Sequence, residues 1–130
     1  MKLVIAGSRD LYDYYLGRAL ILTGIAAKKI EVTEIVSGTA KGADFFGEQF
    51  AQEIDVPVTK FPADWDKHGK AAGPLRNEEM AKYADVVFVL INNNSSGSLN
   101  MIKNAIKYKK PLMVFKFIDH LLVAVHNVGD

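Results

Sequence analysis

The chain has 130 residues, with 16 Lys and Arg against 15 Asp and Glu, for a net charge of +1. That length supports one domain, taken as residues 1–130. The balanced charge and 49% hydrophobic content exclude a disordered or uniformly basic chain. There is no cysteine, which excludes disulfides, Cys-ligated zinc, iron–sulfur clusters and a thiol nucleophile, and fits a reducing, cytoplasmic setting. His68, His120 and His126 lack tight ligand spacing, so neither a metal nor a cofactor is expected. The longest unbroken apolar run, residues 86–91, is too short to span a membrane.

Along the chain, short apolar runs alternate with longer amphipathic stretches. Residues 2–6 are β-branched and apolar, read as a strand, and end at Gly7-Ser8-Arg9-Asp10. A helix of about 17 residues is predicted from Leu11, with Asp10 as its N-cap. Residues 34–37 form a second strand closed by Gly38. Over residues 42–54, Ala43, Phe46, Phe50 and Ile54 fall on one helical face. Residues 56–61 read as a third strand, with Pro57 favouring a strand start or an edge. A polar loop is predicted over residues 62–74, then a short helix from Pro74 to Tyr83. Residues 85–91 are the most apolar strand and should be central, covered on both faces. A turn-rich loop over residues 92–98 precedes a helix whose apolar face is Leu99, Ile102, Ala105 and Ile106. Residues 111–117 read as a fifth strand. The tail, 118–130, is apolar around Leu121–Val125 and carries no clear pattern. Strand–helix alternation predicts an α/β, Rossmann-like three-layer fold: a mainly parallel sheet of about five strands with helices on both faces.

Small and polar residues collect after the strands, on the rim where open parallel sheets bind ligands. Glycines there allow close backbone approach, and helix N-termini attract anions. The candidates for ligand contact are Gly7, Ser8 and Arg9; Gly38, Thr39, Lys41 and Asp44; and Ser95, Gly97 and Ser98. A denser cluster adds Asp64, Trp65, Arg76 and Asn77. Trp65 could stack on a planar group, and Arg76 could grip a phosphate or carboxylate through two donors. The competing reading is that Arg76 pairs with Asp64 or Asp66 and staples the loop. The segment around Lys41 is no Walker loop, and no G-x-G-x-x-G follows the first strand.

The order G-S-R-D, S-G-x-A-x-G-A-D and A-D-W-x-x-x-G-x-x-A-G-P-x-R-N-x-x-M, at residues 7–10, 37–44 and 63–80, resembles the YspA-like branch of the SLOG superfamily. An S-x-G-[ST]-x-x-M-I element at Ser95, Gly97, Ser98, Met101 and Ile102 strengthens it. The resemblance spans about residues 2–115. It implies a Rossmann-like domain that binds nucleotides or nucleotide-derived ligands, in a superfamily that includes LOG-type phosphoribohydrolases, the DNA-processing protein DprA and sensors of nucleotide signals. It also implies a tendency to form homodimers. The phosphoribohydrolases share P-G-G-x-G-T-x-x-E with a catalytic Glu; aligned on Gly97-Ser98, that position is Met101, which cannot exchange a proton.

The leading expectation is a nucleotide-binding sensor, carrier or sequestering protein. The alternative is a nucleoside-phosphate N-glycosidase, with Asp10, Asp44 and Asp64 as the available acids. Single-stranded nucleic acid is a third, less favoured partner. Its support is a run of lysines (Lys103, Lys107, Lys109, Lys110 and Lys116) without an intervening acid, but no aromatic ladder accompanies it. The apolar tail is expected to cap the core or form a dimer contact.

Overall fold

The apolar runs of the sequence build the sheet and the amphipathic stretches cover it. The computed structural model describes residues 1–129. In it β1 (Lys2–Gly7), β2 (Glu34–Ser37), β3 (Val58–Lys60), β4 (Val86–Asn92), β5 (Leu112–Ile118) and β6 (Leu121–Val128) form one sheet. Their order is β3-β2-β1-β4-β5-β6. The first five strands are parallel, and β6 runs antiparallel to β5. The direction of winding reverses between β1 and β4, which leaves a crevice beyond their carboxyl ends.

Side chains alternate across the strands and feed two cores. On one face α1 (Tyr14–Lys28) and α2 (Ala43–Ile54) pack on Leu3, Ile5, Phe88, Leu90 and Phe115. On the other, α4 (Ala72–Tyr83) and α5 (Ser96–Lys107) pack on Val4, Ala6, Val87, Val89 and Ile91. Every residue of β4 is buried, as expected for a central strand covered twice. Phe88 and Phe115 meet edge-on, centroids 6.2 Å apart. Burying each such ring contributes about 1.5–3 kcal/mol.

Four sequence expectations are corrected. The N-cap of α1 is Asp13, whose carboxylate accepts the Leu16 amide at 3.2 Å. The apolar side chain of Leu11 is buried, so the chain dips into the core before turning into a helix of 15 residues. The polar segment 62–74 is not simply loop: it holds α3 (Trp65–His68), a 3-10 turn at Gly69–Ala71 and the start of α4. α5 begins at Ser96, so its first turn is made of small polar residues rather than apolar ones.

The fourth correction is the tail, which adds a sixth strand to the expected five. The β5–β6 connection is the two residues Asp119 and His120, at φ 48° and 69°. Two successive left-handed residues give the hairpin turn whose twist matches antiparallel strands. The turn is clasped from the sheet end: Asn93 Oδ1 accepts the Asp119 amide at 3.1 Å and Asn92 Oδ1 accepts that of His120 at 3.0 Å. Among the described residues, no helix is long and apolar enough to cross a membrane.

Candidate functional site

The crevice is assembled by hydrogen bonds between loops that are distant in sequence. Gly7 ends β1 pressed against β4: a Cβ there would come within 1.9 Å of the Leu90 carbonyl oxygen. This proximity lets the Ser8 amide donate to that same oxygen at 2.9 Å. The Ser8 hydroxyl then accepts the Asn92 amide at 2.7 Å and lies 2.9 Å from Ser95 Oγ. Ser95 in turn donates to Ser98 Oγ at 2.6 Å. Ser8 and Ser98 are buried, so they act as internal ties of the wall, while Ser95, Ser96 and Gly97 form its open surface.

The start of α2 grips the same loop from the other side. Gly42 adopts φ 73°, and a Cβ on it would lie 2.2 Å from the Ser8 carbonyl oxygen. The Ala43 amide donates to that oxygen at 3.2 Å. The next residue, Asp44, is 4% exposed. Burial pushes its pKa up to about 6, against the opposing pull of the Ala40 amide and the Arg76 and Arg9 charges. The Ala40 amide donates to its Oδ2 at 3.2 Å, fixing the turn after β2.

α4 fastens these parts together. The Arg76 guanidinium donates to the Gly38 carbonyl and, through Nε, to Asn77 Oδ1 at 3.0 Å. Asn77 Nδ2 donates to the Gly97 carbonyl at 3.2 Å and to Asn100 Oδ1 at 3.0 Å. Burial lowers the Arg76 pKa, and the neighbouring Asp44 charge opposes that shift.

The result is a cleft with two lobes. The first, about 580 Å³, is bordered by Gly7, Ser8, Arg9, Trp65, Lys70, Gly73, Pro74, Arg76, Asn77, Asn100 and the Ser95–Ser98 turn. The second, about 720 Å³, is bordered by Arg9, Asp10, Tyr12, Gly38, Thr39, Ala40, Lys41, Pro62, Ala63, Trp65 and Arg76. Each volume is in the range of a small-molecule site. A recess of about 60 Å³ is lined by Asp44 and Met101 together with Gly7, Arg9, Arg76, Asn77 and Gly97. Trp65 is half exposed, and the Arg9 guanidinium stands 6.0 Å from its ring centroid. Four cations (Arg9, Lys41, Lys70 and Arg76) and two acids (Asp10 and Asp44) border these spaces. That surplus favours an anionic occupant.

Of the residues named from sequence, the first lobe gathers Gly7, Ser8, Arg9, Trp65, Arg76, Asn77, Ser95, Gly97 and Ser98. Gly38, Thr39 and Lys41 line the second, and Asp44 lies in the recess. Asp64 borders none of these spaces; it caps α3, accepting the Lys67 amide at 3.1 Å. Arg76 does not staple to Asp64 or Asp66; it turns to Gly38 and Asn77. Asp10 borders the second lobe, accepts from Asn92 Nδ2 at 3.0 Å and lies beside His120. The lysine run is not a free stripe, since Lys107 pairs with Glu78 at 3.0 Å and Lys110 donates to the Lys82 and Ala84 carbonyls. Lys70, Asn100 and Tyr12 also border the cleft. Lys70 and Asn100 fall at unspecified positions of two of the motifs, and Tyr12 lies just beyond the first, so their residue types carried no signal and only the folded loops bring them there.

Residues 1–68 match the model of a family described as YspA, cpYpsA-related SLOG family. The chain is also similar to the Gene 61 protein of Mycobacterium phage D29, 34% identical over 87 residues, which cover 62% of this chain and 70% of that protein. No solved structure matches.

Proposed function

Because the chain belongs to the YspA, cpYpsA-related SLOG family, we propose that its cleft binds a nucleotide or nucleotide-derived ligand, as a sensor, carrier or sequestering protein. The observation that carries this reading is the convergence of Arg9, Arg76, the Ser95–Ser98 turn and the Trp65 ring on one cleft. The guanidinium groups and the exposed amides at the start of α5 suit phosphate. The Trp65 ring offers a face for a base, and Asn100, held in place by Asn77, supplies a polar edge that orients a sugar.

Trp65 is the only tryptophan, so its fluorescence tests the proposal directly. Titration with a panel of nucleoside mono- and diphosphates should change the emission saturably for at least one base. Native mass spectrometry should show the same ligand retained at a ratio of one per chain. No saturable change and no retained nucleotide across the panel sinks the reading.

A second reading, hydrolysis of an N-glycosidic bond, is favoured by one feature. Asp44 is a buried carboxyl with its pKa pushed up to about 6, in the recess beside the cleft. Such a group suits acid–base work near neutral pH. Release of free base from nucleoside monophosphates, abolished by Asp44→Asn, supports it; complete inactivity rejects it.

The proposed assembly is a cytoplasmic homodimer joined at the outer edge of β6. Leu121, Val123 and Val125 on that strand are 70%, 52% and 46% exposed. The strand has no Lys, Arg, Asp, Glu or Pro to discourage edge pairing. A second copy in antiparallel register would satisfy both free edges at once, as a two-fold interface does.

A further inference from the structure

The cleft has two lobes, and a mononucleotide needs only one. We infer that the natural ligand is two-armed: two sugar-bearing units joined by a pyrophosphate bridge, with one arm in each lobe. This inference rests on the binding reading above and specifies its ligand class.

Three side chains, Arg9, Trp65 and Arg76, border both lobes and so stand at their boundary. Two of them are guanidinium groups close enough that the Arg9 charge disfavours the protonated form of Arg76. Their common acid, Asp44, is a single carboxylate already accepting the Ala40 amide. Arg76 spends two donors on Gly38 and Asn77. Arg9 has no hydrogen bond or ion pair among the described residues, and its guanidinium stands by the Trp65 ring. Two cations against one acid leave an uncompensated positive charge at the boundary, where a bridging diphosphate would sit.

The two lobes are also alike in kind. The first is walled by the Ser95–Ser98 turn with Lys70 nearby, and the second by the Gly38–Lys41 turn with Asp10 and Tyr12. The second lobe thus combines hydrogen-bond acceptors, a cation and an aromatic ring, as a sugar-bearing arm requires. A ligand confined to the first lobe would leave Thr39, Lys41 and Tyr12 untouched.

Calorimetry with matched pairs of ligands tests the assignment. The probes are adenosine and guanosine monophosphates and the corresponding dinucleoside pyrophosphates, in which two nucleosides are joined by a diphosphate. The wild-type chain should bind the two-armed member of one pair at least tenfold more tightly than its monophosphate. Ala63→Tyr, which fills the second lobe, should bring that ratio to near unity, and circular dichroism should show that the variant folds. Arg9→Ala should likewise cut the ratio. If the monophosphate binds and the two-armed ligand binds no better, this inference falls while the mononucleotide reading stands. A preference that survives Ala63→Tyr also overturns it, because the second arm then lies elsewhere. If neither class binds, both readings fail together.

Discussion

The hydroxyl of Ser8 accepts the backbone amide of Asn92 at 2.7 Å, with both residues buried. This bond joins the ends of β1 and β4, the two strands between which the sheet reverses. Ser8→Ala leaves the Asn92 amide without its acceptor in a site closed to water. An unsatisfied buried donor costs about 1–3 kcal/mol, and chemical denaturation should show a loss of that size. A change below about 0.5 kcal/mol would mean that the amide finds another acceptor and that the serine cluster is not what holds the wall.

Arg76→Lys keeps the charge and removes the fork. A lysine ammonium is a point donor on a flexible stem and cannot reproduce the planar geometry that serves Gly38 and Asn77 together. Ligand affinity should drop about tenfold or more, equivalent to ~1.4 kcal/mol, with a stability loss of about 1 kcal/mol. Parallel titration of Trp65 fluorescence and urea melts separates the two effects. Unchanged affinity would remove Arg76 from the binding wall.

The pH dependence of stability carries the signature of Asp44. Its folded pKa, about 6, lies above the unfolded value of 3.8, so the folded state holds this proton more tightly. The contribution favours folding fully below pH 4 and is lost as the pH rises through 6. Asp44→Asn cannot lose a proton. The stability difference, wild type minus variant, should therefore fall by about 2 kcal/mol between pH 4 and pH 7. A flat difference across that range would show the carboxyl to be better solvated than its burial indicates.

Val125→Lys places a charge in the middle of β6, opposite Phe115 across the β5–β6 ladder. Val125 is already 46% exposed, so stability should change by less than about 1 kcal/mol. Light scattering should instead show a wild-type dimer and a monomeric variant. A monomeric wild type at high micromolar concentration would remove β6 as an assembly surface.

The parallel core was readable because β1 and β4 are continuous apolar runs, and burial on both faces demands such runs. β6 was not, because both its faces are exposed: Leu121-Leu122-Val123-Ala124-Val125 shows no alternation to separate an inner face from an outer one. The cap of α1 is Asp13, three residues beyond Asp10, and sequence does not separate them because either Asp suits a cap. What decides between them is the burial of Leu11, a tertiary fact. α3 leaves no pattern in the sequence because Trp65-Asp66-Lys67-His68 has no buried residue and hence no apolar face. In the site, Arg9, Trp65 and Arg76 were legible as unusual residues near glycines. Their sharing of one boundary between two lobes was not, since it depends on how α3 and α4 pack. Asp64 was indistinguishable in sequence from a ligand-facing acid, but its carboxylate is committed to the Lys67 amide.

The two-residue hairpin has a consequence for engineering. Asn-Gly is the better chemistry for a turn with two left-handed residues, and this chain instead uses Asp119 and His120. Their substitution by Asn and Gly should tighten the turn on its own. It would also delete the His120 ring, which lies 2.9 Å from the Asp10 carbonyl at the lip of the second lobe. The hairpin therefore ties the outer edge strand to the rim of the cleft through this one contact, and trading it for the tighter turn would release that rim.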